Sequence, residues 1–316
     1  MGKIFKLIIA LAVIAIIVGV AVTLINDTDD RYKSEVNFTI NDTLPDGEGK
    51  HATVILLGGQ SNASGCSRDD YLRKNVGEEE YARLANGFDN VYINYYATGT
   101  NMSDGFVRAG VMQGEAGGYF GPELGIADRL NAIYPDETFF IIKCAWGGTN
   151  LYEQWLSPSS YGDTGYLYAQ FVEFVNGSLE YLTEKNYNVT IAGMCWMQGE
   201  SDSFTVTNSI FYRWRLANFI SDIRKEFKDY ADEDGIAFID AYIADLPTVW
   251  LHYKLVNYSK SAVAGRSELN AVIDTVSVGL TTAEEPEDAP DIAHYDAMSQ
   301  LKLGHLFAEE MAKFIG

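Results

Sequence analysis

Cysteine is scarce in this chain and so is histidine: three of the one and four of the other among 316 residues. The cysteines are Cys66, Cys144 and Cys195, an odd number with no two at metal-ligand spacing. The chain is therefore no disulfide scaffold. Cys144 and Cys195 sit inside apolar runs and read as small buried hydrophobes. No cluster of His, Cys and carboxylate has zinc spacing, so no metal is expected. Phosphate cradles are missing as well. Neither G-x-G-x-x-G nor G-x-x-x-x-G-K-[ST] occurs, so dinucleotide and P-loop binding lack their glycine-rich loop and no cofactor is expected. Basic residues are outnumbered, 23 Lys and Arg against 44 Asp and Glu, for a formal net charge of -21. A surface that acidic repels phosphate backbones and argues against nucleic acid as a partner. It suits neutral or cationic partners, or serves solubility alone.

Hydrophobic residues make up 47% and charged residues 21%, an ordinary globular balance that implies no general disorder. The length suits one large α/β domain, with a weaker case for two. The N-terminus stands apart. "MGKIFK" carries two lysines, and "LIIALAVIAIIVGVAVTLI" (7–25) then runs uncharged. As a helix, roughly 19 residues span about 28 Å, close to a bilayer core. The lysines place the N-terminus in the cytoplasm and the rest outside. No A-x-A site follows, so residues 1–25 read as an uncleaved signal-anchor rather than a cleaved signal peptide. Either way the bulk of the chain is expected outside the cytoplasm, membrane-anchored or secreted. Residues 26–50, polar and without periodicity, read as a stalk. Asn37, Asn41, Asn62, Asn101, Asn176, Asn188 and Asn257 open N-x-S/T triplets, glycosylation acceptors in a eukaryote and of little meaning elsewhere.

From residue 51 the pattern alternates. Short β-branched runs occur at 53–57, 138–143, 190–196, 236–240 and 275–280. Between them lie stretches of helical period at 122–133, 165–185 and 298–315. Another stripe runs through Ile210, Trp214, Ala217, Ile220, Ile223 and Phe227. Strand-helix alternation with doubly apolar strands predicts a three-layer α/β/α domain over 51–316, around a parallel sheet of about five strands. In a flavodoxin-like order, 2-1-3-4-5, strands one and three flank the switch point where ligands bind.

The polar-glycine clusters fall at that edge. "GGQSN" follows strand one, "CAWGGTNLYEQW" strand two and "MQGESD" strand three, with "DIAHYD" on a loop after strand five. Ser61, flanked by Gln60 and Asn62, would face Gln198 across one crevice. A serine nucleophile needs a base, and the base an orienting group. His51 opens strand one at the wrong end of the sheet. His252 lies in an aromatic segment and His305 inside the last helical stretch. His294 alone follows a strand's carboxyl end, with Asp291 three residues before it, close enough in a turn to hold one imidazole nitrogen. A solvated loop histidine is the plainer alternative. Oxyanion donors are available in the Ser61 backbone N–H, the Gly147-Gly148 turn and the Gln198 side chain. Glu200 reads as architectural, Asp202 as a helix cap and Glu123, after Pro122, as a first-turn carboxylate. The usual nucleophile elbow, G-x-S-x-G, is absent.

In this order "GGQSN", "GPELGIA", "IIKCAWGGTNLYEQW", "WMQGESD" and "DIAHYD" resemble the sialate O-acetylesterase domain, carbohydrate esterase family 6 of the SGNH (GDSL-like) hydrolase superfamily. The resemblance covers about residues 51–315. It implies a flavodoxin-like fold and metal-free serine hydrolysis of acetyl esters on carbohydrate. Carried over position by position, it implies Ser61 as nucleophile, His294 as base, Asp291 as its partner, and Gly148 and Gln198 as oxyanion donors. Gln198 stands where many members of the wider superfamily have Asn, a departure this family shares. His294 must be neutral to act as base, so activity is expected to fall below its pKa, near 6.5 if unshifted.

The substrate is open among acetylxylan, sialic acid, peptidoglycan and small glycosides. The Tyr- and Trp-rich stretch 150–168 suits either a cleft wall that stacks on sugar or an ordinary loop packed on the domain. A noncatalytic carbohydrate-binding or cell-surface protein on the same fold is the alternative to an esterase; intact Ser61, Asp291 and His294 favour the esterase. A lipid-directed esterase would want a long apolar cleft. The sequence carries no mark of oligomeric state.

Overall fold

The computed structural model describes residues 44–99, 101–282 and 285–315. The expected membrane helix and residues 26–43 of the expected stalk lie outside the described residues. Among the described residues no helix is long and apolar enough to cross a membrane. The last part of the expected stalk is not free. Leu44 is buried, and the Gly47 and Gly49 N–H groups donate to the carbonyls of Lys185 and Asn186 at 2.6 and 2.8 Å.

Among the described residues six parallel strands form the sheet: β1 (His51–Gly59), β2 (Val91–Ala97), β3 (Phe139–Ala145), β4 (Asn188–Met197), β5 (Ala237–Ala241) and β6 (Asn270–Ile273). Their order is β6-β5-β4-β1-β3-β2, with short antiparallel pieces at Asn101–Met102 and Val107–Arg108 beyond β2. With β2 set aside this is the expected 2-1-3-4-5 order, so β1 sits between β3 and β4 at the switch point. β1 is central, and every residue after His51 is buried. That burial on both faces is why "ATVILLGG" runs apolar rather than alternating.

The helices are α1 (Ser61–Ser64), α2 (Asp69–Val76), α3 (Glu78–Ala85), α4 (Pro122–Ile133), α5 (Tyr166–Glu184), α6 (Val206–Glu226), α7 (Tyr253–Ala264) and α8 (Ala297–Met311). Side-chain parity assigns them to the two faces. Leu57, Lys143 and Cys195 share one register row, and Lys143 meets Glu123 of α4, while Met311 of α8 reaches Gly193 two residues along β4. Gly58, Cys144 and Trp196 share the next row and point the other way. Trp196 there packs on Phe219 of α6, with ring centroids 4.5 Å apart, and on Trp155 at 5.2 Å.

Three expectations need correction. The run Val91–Ala97 is a sixth parallel strand that the sequence reading passed over. The fifth expected strand, 275–280, is a chain of turns instead, because Asp274 Oδ1 accepts the N–H groups of Val276 and Ser277 and bends the chain; the strand lies just before it at 270–273. His294 therefore sits twenty-one residues beyond a strand end, in the approach to α8. The stripe on α6 is core only in its second half. Ile220, Ile223 and Phe227 are buried, whereas Ile210 is 60% and Trp214 39% exposed.

Candidate active site

β1 ends where it must bend hard. Gly59 has φ +139°, and a Cβ there would lie 2.0 Å from the Met197 carbonyl oxygen. Only glycine lets β1 and β4 approach so closely before the chain turns into α1. The turn delivers Ser61, 8% exposed, to the carboxyl edge of the sheet. Gln60 fixes it from one side. Its Oε1 accepts from the backbone N–H groups of Gly199 and Ser201 at 3.3 and 3.2 Å and from the Gln198 amide at 3.3 Å.

Asn62 fixes it from the other side and reaches the loop after β4 and the loop that carries His294. Its Nδ2 donates to Glu200 Oε1 at 2.8 Å, and its Oδ1 accepts from the Tyr295 N–H at 3.1 Å. Its carbonyl accepts from Gln300 Nε2 at 2.6 Å, and Ser67 Oγ donates to the Tyr295 carbonyl at 2.6 Å. The residue after Ser61 is thus bonded to the residue after His294. Local chain geometry could not produce that: the two positions are 233 residues apart. Asn62 is 2% exposed and Asn257, bonded at both ends to the Ile243 backbone, 8%, so neither presents a free glycosylation acceptor.

His294 and Asp291 meet as the i,i+3 spacing suggested. Nδ1 and Oδ2 are 2.6 Å apart. The Ala293 and His294 N–H groups donate to Oδ1 at 2.9 and 3.3 Å and hold the carboxylate in place. Burial pulls the His294 pKa down, but the Asp291 hydrogen bond and charge, with Glu115 and Glu200 behind them, outweigh it and hold it above 6.5. The hydrogen bond from His294 holds the Asp291 carboxyl low.

Gly147 and Gly148 form the facing wall. A Cβ on Gly147 would lie 3.6 Å from the Ser61 Cβ, so this turn borders the serine. Gly148 has φ +72° and open space where a side chain would be. Among the described residues the backbone N–H groups of Ser61 and Gly148 donate to no acceptor. Gln198 is arranged differently. It is fully buried, and its Nε2 faces Asp202 Oδ2 at 2.8 Å, the Thr149 carbonyl at 3.1 Å and Gln60. Its Oε1 accepts from Tyr212 Oη at 3.0 Å. Flipping the amide would set oxygen against Asp202, so the orientation is fixed. The Gln198 side chain buttresses the wall, and its amide hydrogens are taken up within the protein.

Asp202 is no helix cap. Thr205 caps α6 by accepting from the Asn208 N–H. Asp202 instead ties the Leu151 N–H, at 2.8 Å, to Gln198. Burial pushes its carboxyl up to about 6 against those two hydrogen bonds. Glu200 is architectural as expected. Burial pushes it up, the Asn62 bond opposes, and its Oε2 has no partner among the described residues. Glu123 stands in the first turn of α4 as expected, accepting from the Gly121 N–H at 2.7 Å, but it also pairs with Lys143 Nζ at 2.7 Å, both side chains wholly buried. Of the other histidines, His305 binds Asp128 at 2.7 Å inside the α4–α8 layer and His51 is exposed at the amino end of β1.

Two neighbours escaped the sequence reading. Glu115 accepts from Ser64 Oγ at 3.3 Å and lies against Gly147. No motif marks it; it arrives on the loop before α4. Cys66 donates its thiol to the Ser61 carbonyl at 3.4 Å. Burial of its sulfur, with the charges of Glu115 and Asp291, pushes the thiol well up, so it stays protonated and is no rival nucleophile. Among the described residues no three His, Cys, Asp or Glu side chains are placed to hold a metal.

The arrangement offers a serine, a carboxylate-held imidazole on a loop bonded to the serine turn, and two free backbone donors. Residues 51–313 match the profile of a family described as carbohydrate esterase, sialic acid-specific acetylesterase. Similar solved structures include a protein from Arabidopsis thaliana (TM-score 0.61, 17% identity, 83% of this chain and 99% of that one). NanS is another (0.58, 14%, 84% and 98%). A third is a carbohydrate acetylesterase from Xanthomonas citri (0.55, 19%, 83% and 56%). These likenesses show the fold. No curated protein sequence matches.

Proposed function

We propose, from the premise that this chain belongs to the carbohydrate esterase, sialic acid-specific acetylesterase family, that Ser61, His294 and Asp291 carry out its hydrolysis of O-acetyl groups on carbohydrate. His294 Nε2 takes the proton from Ser61 Oγ as the oxygen attacks the acetyl carbonyl. Asp291 keeps the other imidazole proton on Nδ1 and stabilises the imidazolium that forms. The N–H groups of Ser61 and Gly148 receive the oxyanion. Collapse of the tetrahedral adduct breaks the bond to the sugar oxygen, which takes its proton from His294. Water then attacks the acetyl-Ser61 ester, giving its proton to His294; the bond to Ser61 Oγ breaks, Oγ takes that proton back from His294, and acetate leaves. Gln60, Asn62, Gln198 and Glu200 hold these parts in register and touch no reacting atom.

One observation carries the reading: the 2.6 Å His294–Asp291 pair sits on a loop hydrogen-bonded through Tyr295 to Asn62, the neighbour of Ser61. The test is acetate release from 4-nitrophenyl acetate and acetylated xylan by the full chain and its Ser61→Ala variant. The reading expects release from the wild type and none above background from a folded variant. Equal rates from both would sink it. We place the domain outside the cytoplasm as well, anchored through 7–25 or freed if that segment is cleaved; the support is the uncharged run behind Lys3 and Lys6.

A further inference from the structure

The exposed half of the α6 stripe is not a lone hydrophobic residue but part of a strip. Phe211, Trp214, Arg215, Asn218 and Asp222 recur at helical steps along one face. The loop after Gly148 lies along that face, contact by contact. The Arg215 guanidinium lies over the Tyr152 ring, 5.5 Å from carbon to centroid, and over the Phe211 ring at 5.7 Å. Tyr161 lies on Trp214, centroids 6.2 Å apart and planes 34° from parallel. Ser160 Oγ accepts from Asn218, and the Ser159 N–H and Oγ donate to Asp222 at 2.9 and 2.8 Å. From Phe211 to Asp222 the strip is about 16 Å long.

These rings are open to solvent: Tyr161 is 93% exposed, Phe211 51%, Trp214 39% and Tyr152 37%. An apolar cluster of this kind marks a binding surface rather than a core. Its inner end is fixed to the candidate active site. Leu151, next to Tyr152, donates to Asp202, and the same Asp202 oxygen holds Gln198. The strip therefore begins at the rim of the serine site and runs outward.

We propose that this strip binds the chain of an acetylated, uncharged polysaccharide whose ester reaches Ser61, so that the enzyme acts on oligomeric or polymeric glycan rather than on a single sugar. The inference rests on the carbohydrate-esterase reading and adds the substrate class. Three features select sugar as the occupant. Flat rings match the C–H faces of pyranose units. Arg215, Asn218, Ser159 and Asp222 alternate with the rings and supply hydrogen-bonding groups for hydroxyls, where a membrane or an amphipathic peptide would meet an unbroken apolar stripe. The net charge of -21 disfavours anionic chains as well as anionic membranes.

The experiment compares the full chain with a Phe211→Ala/Trp214→Ala double variant and with Ser61→Ala. The substrates are 4-nitrophenyl acetate, fully acetylated xylose and acetylated xylan. Because these rings are exposed, their removal leaves the fold intact, checked by thermal melting. The strip predicts that kcat/KM on acetylated xylan falls about tenfold or more, while the rates on the two small esters stay within about twofold. It also predicts that Ser61→Ala binds xylan and that adding the double substitution abolishes that binding. An unchanged xylan rate would overturn the proposal. So would a change in oligomeric mass on size exclusion with xylan kinetics untouched, which would make the strip a protein interface. Wild type inert on every ester while Ser61→Ala still binds xylan through the strip would reject the esterase reading alone.

Discussion

Replacing Asp291 by Asn separates a catalytic pair from a merely structural one. The Asn carbonyl oxygen can keep the Ala293 and His294 N–H bonds made by Oδ1, so the loop holds its shape. What changes faces Nδ1, now 2.6 Å from an anionic oxygen. A charge-assisted hydrogen bond is worth about 1.5–3 kcal/mol. Asp291 is 43% exposed, so screening by solvent favours the low end, about 1.5–2 kcal/mol, roughly 10- to 30-fold in rate. The amide adds a second penalty. It presents a hydrogen to Nδ1, forcing the imidazole proton onto Nε2, the atom that must accept from Ser61. The two together predict a loss of kcat of about 10²- to 10⁴-fold. The pH profile supplies the decisive sign. Asp291 raises the His294 pKa, so wild-type kcat/KM falls as pH drops through a value above 6.5, and in Asp291→Asn that limb moves to lower pH. Steady-state rates on 4-nitrophenyl acetate between pH 5 and 9 measure both. An acid limb that stays in place, with kcat down less than about threefold, refutes the pairing as the source of catalysis.

Other substitutions report on the surroundings. Gln198→Ala distinguishes a buttress from an oxyanion donor. Loss of a donor costs about 10²–10³ in kcat, whereas the observed bonding predicts less than about tenfold, with about 1–3 kcal/mol lost in urea unfolding as Asp202 loses its partner. Glu115→Gln removes a carboxylate that acts on His294 together with Asp291 and Glu200, so the acid limb shifts modestly downward; an upward shift would contradict the assignment. Lys260→Met strands Asp240, whose oxygen lies 2.6 Å from Nζ with both side chains nearly or wholly buried. Burial already pushes that carboxyl up to about 6. Unfolding should show a loss of about 3–5 kcal/mol, and a second change, Asp240→Leu, should recover part of it.

Much of this architecture was legible because it is periodic or local. The doubly apolar runs gave four of the strands, and the clusters "GGQSN", "GGTN" and "QGES" did fall at their carboxyl ends, where a parallel sheet presents its loops. Asp291 and His294 are three residues apart, so a single turn brings them together. What was missed is long-range. Val91–Ala97, "VYINYYA", is as β-prone as any run in the chain, yet its place outside β3 depends on a partner that local pattern cannot name. Lys143 stands in an apolar strand with no warning that Glu123, in the first turn of the preceding helix, pairs with it. Trp214 shows the limit of a helical stripe. The period reveals which residues share a face, not which of two neighbouring faces is covered: in the same turns Ser209, Tyr212, Leu216 and Phe219 are buried while Ile210 and Trp214 face solvent. Asn62 was visible only as an amide next to Ser61; its role as the hub was not, because its three partners lie 138 or more residues away.

The central claim is that Ser61 Oγ is the nucleophile. A fluorophosphonate, which reacts with an activated serine and stays attached, tests it directly. The full chain is labelled at pH 8, digested and mapped by mass spectrometry, beside Ser61→Ala and His294→Ala. The account predicts one adduct, on the peptide containing Ser61, absent from Ser61→Ala and strongly slowed in His294→Ala, with acetate release lost in step. An adduct on another residue, or acetate release that survives complete labelling of Ser61, would contradict it.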